Sequence, residues 1–311
     1  MAEGVAADAG ISQILNVNKD LRVAWYNCAG GLIAKIDVIK FILSDIDIDV
    51  LFVSEAEIKP DTDLALFNVA GYEHIVAGTI NLKFHARSSA FFKSFLGFKA
   101  TVFDTEVIAL TNDTIRLVGV YRQFKLWPGQ THLSELEKML TALGSLHSNK
   151  LTLVGGDFNI YWSRKFDSSY HSSSLLTLLE EWADNYTMSQ VVKNATRHRA
   201  VIAKTGTRIE RSCIDLLFVS DTEKVNSELI PGISSDHDIL VATINGGRSP
   251  DFPRSKVLLR DWRNYSCDKV LTLSCCRPIR FDPKLSVDEW SGLLDSTLLS
   301  ITDEVAPFRV I

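Results

Sequence analysis

Eight short apolar runs recur between Leu21 and Ile244, and they constrain the fold of this chain more than any other feature of its sequence. They are rich in β-branched and aromatic residues, which predicts β-strands. Several are apolar throughout, as is typical of strands that are covered on both faces. The runs are Leu21–Trp25, Asp49–Val53, Ser88–Phe92, Glu106–Leu110, Ile115–Val120, Leu151–Val154, Ile214–Val219 and Ile239–Ile244.

Fewer segments have the apolar spacing of a helix. They are Ile36, Ile39 and Leu43, then Leu133, Leu136, Leu140 and Leu143, and finally the segment from Leu175 to Trp182. Helices interspersed among many strands predict sheets with helices on the outside, that is, an α/β or α+β layered domain.

The composition changes near Asn245, where the segment NGGRSPDFPRS is rich in Gly, Pro and Ser. Such a segment is typical of a domain boundary, so we expect one domain over residues 20–246 and an extension over residues 247–311. In the extension, Ser286 and Glu289 have the spacing of a capping box. The apolar residues Trp290, Leu293, Leu294 and Leu298 follow it, which predicts a small helical extension.

Composition narrows the classes of function. The formal net charge of -5 argues against a general nucleic-acid coat, but not against a nuclease with a local basic groove. No basic segment followed by an apolar core opens the sequence, and no apolar run is long enough to span a membrane. We therefore expect an intracellular protein without a membrane partner. Neither a zinc site nor a disulfide framework is indicated by the spacing of Cys28, Cys213, Cys267, Cys275 and Cys276.

The segment LTLVGGDFN, from Leu151 to Asn159, is a predicted strand that leads into an aspartate and an asparagine. If the chain stays extended past Gly155 and Gly156, the side chains of Asp157 and Asn159 lie on one side. A carboxylate beside an amide suits a hard cation, or a water molecule that must be deprotonated and oriented. The same residues also fit a plain turn at the end of a strand.

Polar residues that bind metals or phosphates stand at the ends of six predicted strands. They are Asn27, Glu55, Tyr121, Asp157 with Asn159, Asp215, and Asp236 with His237. Each has an ordinary structural explanation as well, such as a turn residue, a strand aromatic or a solvated acid, and Glu57 is as available as Glu55. Starts and ends of alternate strands share one edge of an antiparallel sheet, so their joint placement predicts a common site.

The ordered series of these motifs, with GGDFN, SCIDLLFVS (Ser212–Ser220) and SSDH (Ser234–His237), resembles the endonuclease/exonuclease/phosphatase superfamily. Within it, residues 20–245 are most similar to the apurinic-like endonuclease domain of non-LTR retrotransposons. The resemblance implies a four-layer sandwich of two mixed β-sheets flanked by helices. Two departures are Ser54, where Gln often precedes the acid, and Ser88-Ser89-Ala90, where a double glycine is common.

The resemblance also implies a role for each residue. Glu55 would be the principal Mg²⁺ ligand, with Asn27 and Asp236 near the same ion, and Mn²⁺ is the alternative metal. Asp157 would orient or deprotonate the attacking water, and Asn159 would fix its position. His237, held by Asp215, would contact the scissile phosphate, and Tyr121 would donate a hydrogen bond to a phosphate oxygen.

We expect DNA to be held by residues between and beside these motifs: Arg122, Thr196, Arg197, Arg199 and Arg208. Thr196 is included because it resembles a hydroxyl position of the family. Arg122 directly follows Tyr121, and the other three arginines belong to a basic loop over residues 193–211. The cations of that loop are Lys193, Arg197, Arg199, Lys204, Arg208 and Arg211. A charge run is equally typical of a solvated face.

Three functions are consistent with the sequence. The first is a Mg²⁺-dependent DNA endonuclease that nicks one strand for target-primed reverse transcription, nuclear if it acts on chromosomal DNA. The segments DWRNY (Asp261–Tyr265) and DEVAPF (Asp303–Phe308) resemble the region before reverse transcriptase in such elements. That domain, in a longer polyprotein, is therefore an expected partner. The alternatives are a hydrolase of the same fold acting on a phosphoinositide, a sphingolipid or RNA, and an inactive DNA-binding fragment.

Overall fold

A computed structural model describes residues 20–77, 85–103, 105–126, 129–162, 173–203, 206–247, 258–260, 266–277, 286–305 and 307–310. Lys204, most of the Gly/Pro/Ser-rich segment and the DWRNY motif lie outside the described residues. The chain divides into two compact units, Met1–Phe252 and Pro253–Ile311. No helix of the described part has both the length and the apolar character needed to cross a membrane.

The strands, in chain order, are β1 Leu21–Asn27, β2 Val50–Ile58, β3 Tyr72–Val76, β4 Ala86–Lys93, β5 Lys99–Phe103, β6 Val107–Thr111, β7 Ile115–Tyr121, β8 Leu151–Asp157, β9 Ser189–Gln190, β10 Arg197–Ala203, β11 Gly206–Ser212, β12 Asp215–Val219, β13 Val225–Ile230, β14 Ile239–Ile244, β15 Leu258–Arg260 and β16 Phe308–Val310. The α-helices are α1 Ile36–Ser44, α2 His132–Ser145, α3 Ser173–Asn185, α4 Cys267–Cys276 and α5 Val287–Val305. All eight predicted strands and all three predicted helices of the first unit are confirmed.

Two six-stranded sheets form the first unit. Sheet 1 has the order β13-β14-β1-β2-β4-β3, and sheet 2 has the order β5-β6-β7-β8-β12-β9. Both are mixed, because β1 pairs with β2 and β7 pairs with β8 in parallel, whereas their other pairs are antiparallel. With helices flanking the sheets, this architecture confirms the predicted α/β sandwich.

The basic segment over residues 193–211 was expected to be a loop, and the structure corrects this. It contains most of a two-stranded antiparallel hairpin formed by β10 and β11. His198, Arg199 and Ala200 are consecutive in β10 and all exposed. Neither face of this part of the ribbon is buried, so the alternation of apolar and polar residues that usually reveals a strand is absent.

The two sheets meet in a core in which aromatic rings of sheet 1 press against glycines of sheet 2. Trp25 and Phe52 stack with ring centroids 5.8 Å apart, and Trp25 Nε1 donates to the Val118 carbonyl at 3.0 Å. A Cβ on Gly155 would lie 2.6 Å from Trp25 Cε2. Gly155 therefore allows β8 to approach the tryptophan closely.

Gly156 has a different role at the end of the same strand. Its φ is +134°, and a Cβ there would lie 2.0 Å from the Val120 carbonyl oxygen. Any other residue would be strained and would push β8 away from β7. The double glycine thus sets the position of Asp157, the next residue.

Strand pairing explains how distant residues reach one edge of the sandwich. Asp157 is in register with both Tyr121 of β7 and Asp215 of β12. In sheet 1, β1 ends at Asn27 beside Ser54 of β2. The starts of β4 and β14 lie at this same edge because both strands run antiparallel to their neighbours. We call this edge the catalytic rim.

The second unit contains α4, α5 and the short antiparallel pair β15–β16. The predicted capping box is present at the start of α5. Glu289 N–H donates to Ser286 Oγ at 3.3 Å, and the Ser286 backbone N–H donates to Glu289 Oε2 at 2.8 Å. These two bonds satisfy backbone and side-chain groups that would otherwise be unpaired at a helix end.

Candidate active site

Asp157 lies at the centre of the catalytic rim and is 1% exposed. Asn27 Nδ2 donates to its Oδ2 at 2.9 Å, and the backbone N–H of Asn159 donates to its Oδ1 at 2.8 Å. Asn159 Nδ2 lies 3.2 Å from the same carboxylate. The side chains of Asp157 and Asn159 lie together as predicted, but the backbone between them has a different conformation from the one expected. Asn159 has φ +48°, so the chain turns sharply instead of staying extended.

The predicted Asp215–His237 pair is present. His237 Nδ1 lies 2.9 Å from Asp215 Oδ2, and both side chains are buried. This contact orients the ring and leaves Nε2 for another partner. Asp236 Oδ1 is 3.8 Å from that Nε2.

Thr196 is hydrogen-bonded to the Asp215 member of this pair. Its Oγ1 donates to Asp215 Oδ2 at 2.7 Å and accepts the Asp215 backbone N–H at 3.0 Å. Thr196 is completely buried. The structure therefore corrects the prediction of a DNA contact here, because the hydroxyl is enclosed and already bonded. The three residues form a chain of hydrogen bonds from Thr196 through Asp215 to His237.

Burial and charge act in opposite directions on His237. Burial disfavours the imidazolium, but the carboxylates of Asp215, Asp157 and Asp236 outweigh it and raise the pKa of His237 to about 9. At neutral pH the ring is therefore protonated. For Asp157, burial and the negative charge of Asp215 raise the pKa well above the ordinary value of a carboxyl, against the opposing effect of His237.

Glu55 owes its position to an irregularity in β2. The pairing of β2 with β4 shifts between Ser54 and Ile58. Glu55 and Glu57 both have positive φ, +55° and +46°, which is uncommon for residues other than Gly. Asn27 Nδ2 donates to Glu55 Oε1 at 3.2 Å, whereas Glu57 pairs with Arg87, its Oε1 lying 3.1 Å from Arg87 Nε. Tertiary structure thus distinguishes the two acids that the sequence left equivalent.

The donor set suits a hard cation. Asp157, Asp215 and His237 carry possible ligand atoms within 4.8 Å of one another. Because His237 is an imidazolium with Nδ1 bonded to Asp215, the carboxylates are the groups of this cluster that would hold the ion. Glu55 is linked to this cluster, because the Asn27 amide nitrogen donates to both Glu55 and Asp157. Carboxylate oxygens are the ligands that Mg²⁺ prefers. Asn27 directs its nitrogen at the carboxylates, and its Oδ1 accepts the Ala29 N–H at 2.9 Å. This orientation differs from the predicted oxygen ligand.

Asp236, the third predicted metal ligand, is held by the hairpin. Its Oδ2 lies 2.8 Å from Arg197 Nε. Burial raises the pKa of Asp236, but the Arg197 guanidinium more than compensates and holds it below the ordinary value. The backbones are joined as well, because His198 N–H donates to the Asp236 carbonyl at 2.7 Å. The hairpin is therefore fastened to the loop that carries His237.

Tyr121 ends β7 beside Asp157 and is 5% exposed. Burial, together with the charges of Glu55 and Asp157, raises the pKa of its hydroxyl far above the ordinary value. The group therefore stays protonated and acts only as a neutral donor or acceptor. This state fits the predicted hydrogen bond to a phosphate oxygen.

Arg122 also differs from its prediction. The residue is 2% exposed, and its guanidinium donates to the carbonyls of Phe158 at 2.6 Å and Asn159 at 2.8 Å. A third contact is with His132 Nδ1 at 3.1 Å. These bonds hold the turn that carries Asp157 and Asn159, so Arg122 supports the turn and is not available to a DNA phosphate.

Exposed cations remain on the hairpin. Arg199 and Arg208 are exposed, and Arg197 is partly exposed. Arg208 also pairs with Glu210 at 2.6 Å.

Arg87, at the start of β4, is a cation of the catalytic rim that none of the sequence motifs predicts. The only sequence signal is its position directly before Ser88-Ser89-Ala90, the segment that departs from the family pattern.

No family model matches this sequence, and no curated protein matches it. Solved structures do. The endonuclease domain of TRAS1, a telomere-specific non-LTR retrotransposon, is 13% identical with a TM-score of 0.51 and covers 72% of this chain and 98% of its own. An AP endonuclease from Archaeoglobus fulgidus is 14% identical, with a TM-score of 0.57 over 72% of this chain and 99% of its own. The 3′ phosphatase NExo from Neisseria, bound to a product DNA hairpin, is 15% identical, with a TM-score of 0.56 over 72% and 99%. The chain therefore has the endonuclease/exonuclease/phosphatase fold.

Proposed function

We propose that this protein is a Mg²⁺-dependent phosphodiester hydrolase that nicks one strand of DNA. The observation that carries the proposal is the convergence, on one rim, of a buried Asp157 and an imidazolium at His237. The first is held by Asn27 and Asn159, and the second by Asp215. Phosphodiester hydrolysis needs such a pair of groups, one to receive a proton and one to stabilise negative charge.

Each side chain then has a defined task. Asp157 accepts a proton from the attacking water, and its raised pKa makes it a stronger base than an ordinary carboxylate. Asn159 fixes the geometry of that carboxylate. His237, as an imidazolium, donates a hydrogen bond from Nε2 to one oxygen of the phosphate. Tyr121 donates a hydrogen bond to a second oxygen of the same phosphate. Mg²⁺ at Glu55 and the neighbouring carboxylates would supply Lewis-acid stabilisation of the charge on the phosphate.

DNA is the substrate that best fits the surroundings of the site. Arg197, Arg199 and Arg208 project from a hairpin that is fastened to the His237 loop. The similarity to the TRAS1 endonuclease domain and to a DNA-bound NExo supports the same class of substrate. We extend the proposal to target-primed reverse transcription, with a reverse transcriptase domain in a longer polyprotein and action on chromosomal DNA in the nucleus.

The first prediction concerns nicking of supercoiled plasmid. The wild-type protein with Mg²⁺ or Mn²⁺ should convert the plasmid to the open-circular form. Asp157→Ala and His237→Ala should each lower the rate by at least about 100-fold, because each removes a group that acts in the transition state. Circular dichroism checks that the variants are folded, and Lys224→Ala, on the opposite edge of the sheet, is the control.

Equal nicking by all variants would identify a contaminant and contradict the proposal. Hydrolysis of a phosphoinositide, a sphingolipid or RNA without nicking of DNA would keep the hydrolytic site and replace the substrate. DNA binding without any hydrolysis, and without a rise of the melting temperature in millimolar Mg²⁺, would support an inactive binding fragment.

A further inference from the structure

The groups along the catalytic rim follow a linear order set by the strands. In sheet 1, His237 precedes β14, Asn27 ends β1, Glu55 lies in β2, and Arg87 lies at the start of β4. Three strand spacings of about 4.8 Å separate the first from the last, roughly 14 Å in all. The rim is therefore longer than one phosphate group.

Arg87 is fixed in place by both sheets. Its backbone N–H donates to the carboxylate of Glu106 at 3.2 Å. In the side chain, Nη1 donates to Gln123 Oε1 at 3.1 Å, and Nε lies 3.1 Å from Glu57 Oε1. Glu57 belongs to β2 of sheet 1, whereas Gln123 follows β7 of sheet 2. The guanidinium thus bridges the two sheets at the Tyr121 end of the rim.

The remaining nitrogen of this guanidinium is available. Among the described residues, Nη2 of Arg87 has no hydrogen-bond partner, and the side chain is 25% exposed. The guanidinium lies at the Tyr121 end of the rim, because its partner Gln123 is two residues beyond Tyr121 in the chain. A planar guanidinium with a free N–H edge is well suited to an oxygen of a phosphate.

We propose that Arg87 binds a phosphate next to the scissile one, on the Tyr121 side, and that the site is built for an internal phosphodiester. Arg197 stands at the opposite end of the rim, bonded to Asp236. Cations at both ends fit a polynucleotide that continues in both directions. A terminal phosphate would leave one of them without a partner. The inference rests on the proposed function, whose substrate it specifies.

Binding provides the first test, and it needs no cleavage. A duplex oligonucleotide is titrated by fluorescence anisotropy without divalent cations, at several salt concentrations. Arg87→Ala should weaken binding about tenfold and reduce the slope of log K against log salt by about 1, because one phosphate contact is lost. Arg116→Ala, at the opposite end of β7, removes the same charge and should leave both values unchanged. An unaltered slope in Arg87→Ala would overturn the proposal.

Glu57 separates a binding role of Arg87 from a structural one. Glu57→Gln keeps the shape of the partner but removes the negative charge that competes with DNA for the guanidinium. If Arg87 binds phosphate, this variant should bind DNA at least as tightly as the wild type. If Arg87 only joins the two sheets, Glu57→Gln should lose affinity as Arg87→Ala does, and that result would overturn the proposal.

A cleavage assay on modified substrates identifies which phosphate Arg87 contacts. Substrates with a single neutral methylphosphonate are made at each position around the cleaved bond. When the methylphosphonate replaces the phosphate that Arg87 contacts, Arg87→Ala and the wild type should cleave at the same rate, because the charge that Arg87 binds is already absent. An equal defect at every position would exclude a specific phosphate contact. If the wild-type protein cleaves no DNA, the proposed function fails, whereas the binding experiment still decides the role of Arg87.

Discussion

Thr196 shows how a single buried hydroxyl differs from what its position in the sequence suggests. It was predicted to touch DNA, yet it is enclosed and bonded to Asp215, which in turn orients His237. Charge-assisted hydrogen bonds of this kind are stronger than neutral ones. Thr196 is therefore a positioning residue that acts through Asp215.

The prediction for Thr196 distinguishes positioning from substrate binding. Thr196→Val removes the donor at nearly constant volume and should lower kcat about tenfold or more, since a hydrogen bond to a charged group contributes about 1.5–3 kcal/mol. KM and DNA affinity should stay unchanged, and Thr196→Ser should restore the rate. Single-turnover kinetics measure this split. A rise in KM with unchanged kcat would instead indicate the originally predicted DNA contact.

Among the elements, the β10–β11 hairpin stands apart because much of it is exposed while its base is fastened to the active site. Arg197 pairs with Asp236, and His198 Nε2 lies 3.0 Å from Asp238 Oδ2, so both neighbours of His237 are held. The hairpin that carries the exposed arginines is therefore bonded to the segment that positions His237.

The hairpin prediction follows from its exposed charge. The double substitution Arg199→Ala and Arg208→Ala should lower the slope of log K against log salt by about 2, because each arginine that neutralises a phosphate contributes about 0.9. The matched control is Lys99→Ala with Lys224→Ala, which removes equal charge at the opposite edge of the sheets. Anisotropy titrations measure both. Equal slopes for the two double variants would mean that the hairpin does not contact DNA.

A buried histidine outside the catalytic rim is expected to make the stability of the folded protein depend on pH. His74 of β3 stacks on Phe91 at 4.3 Å and approaches Phe67 at 5.2 Å. Its Nε2 is buried and has no hydrogen-bond partner among the described residues. Burial lowers the pKa of His74 to about 4. The ring is therefore neutral in the folded protein.

This depressed pKa gives stability a defined pH dependence. In the unfolded chain His74 has a pKa of about 6.5, so below that pH the unfolded state binds more protons and folding becomes less favourable. The stability is present above pH 6.5 and is lost as the pH falls toward 4. Between pH 7.5 and pH 5 the loss should be up to about 2 kcal/mol.

Urea unfolding of the wild type and of His74→Phe measures the effect. The free energy of unfolding of the variant, relative to the wild type, should rise as the pH is lowered from 7.5 to 5, because the variant has no imidazole to protonate. The difference between the proteins isolates His74 from the other groups that titrate. A difference that does not change with pH would contradict the proposed burial of a neutral ring.

Residue type and spacing along the chain are enough to predict most strands and helices and the order of the reactive residues. Strands such as Leu151–Val154 and Ile239–Ile244 were predictable because continuous apolar runs need two covered faces. The pairing of Asp215 with His237 was implied by the motif resemblance, and the contact is present.

The hydrogen-bond partner of each polar group, in contrast, follows from the folded structure and not from the local sequence. Edge strands such as β3 and β13 and the hairpin lack a continuous apolar run, so local pattern did not reveal them. Glu55 and Glu57 are equivalent in sequence, and the bulge against β4 separates them. Arg122 and Thr196 are buried and hydrogen-bonded within the protein instead of contacting DNA, and both differ from the prediction for one physical reason. Burial and hydrogen bonding depend on strands that are distant in sequence, whereas residue type and spacing describe only the local chain.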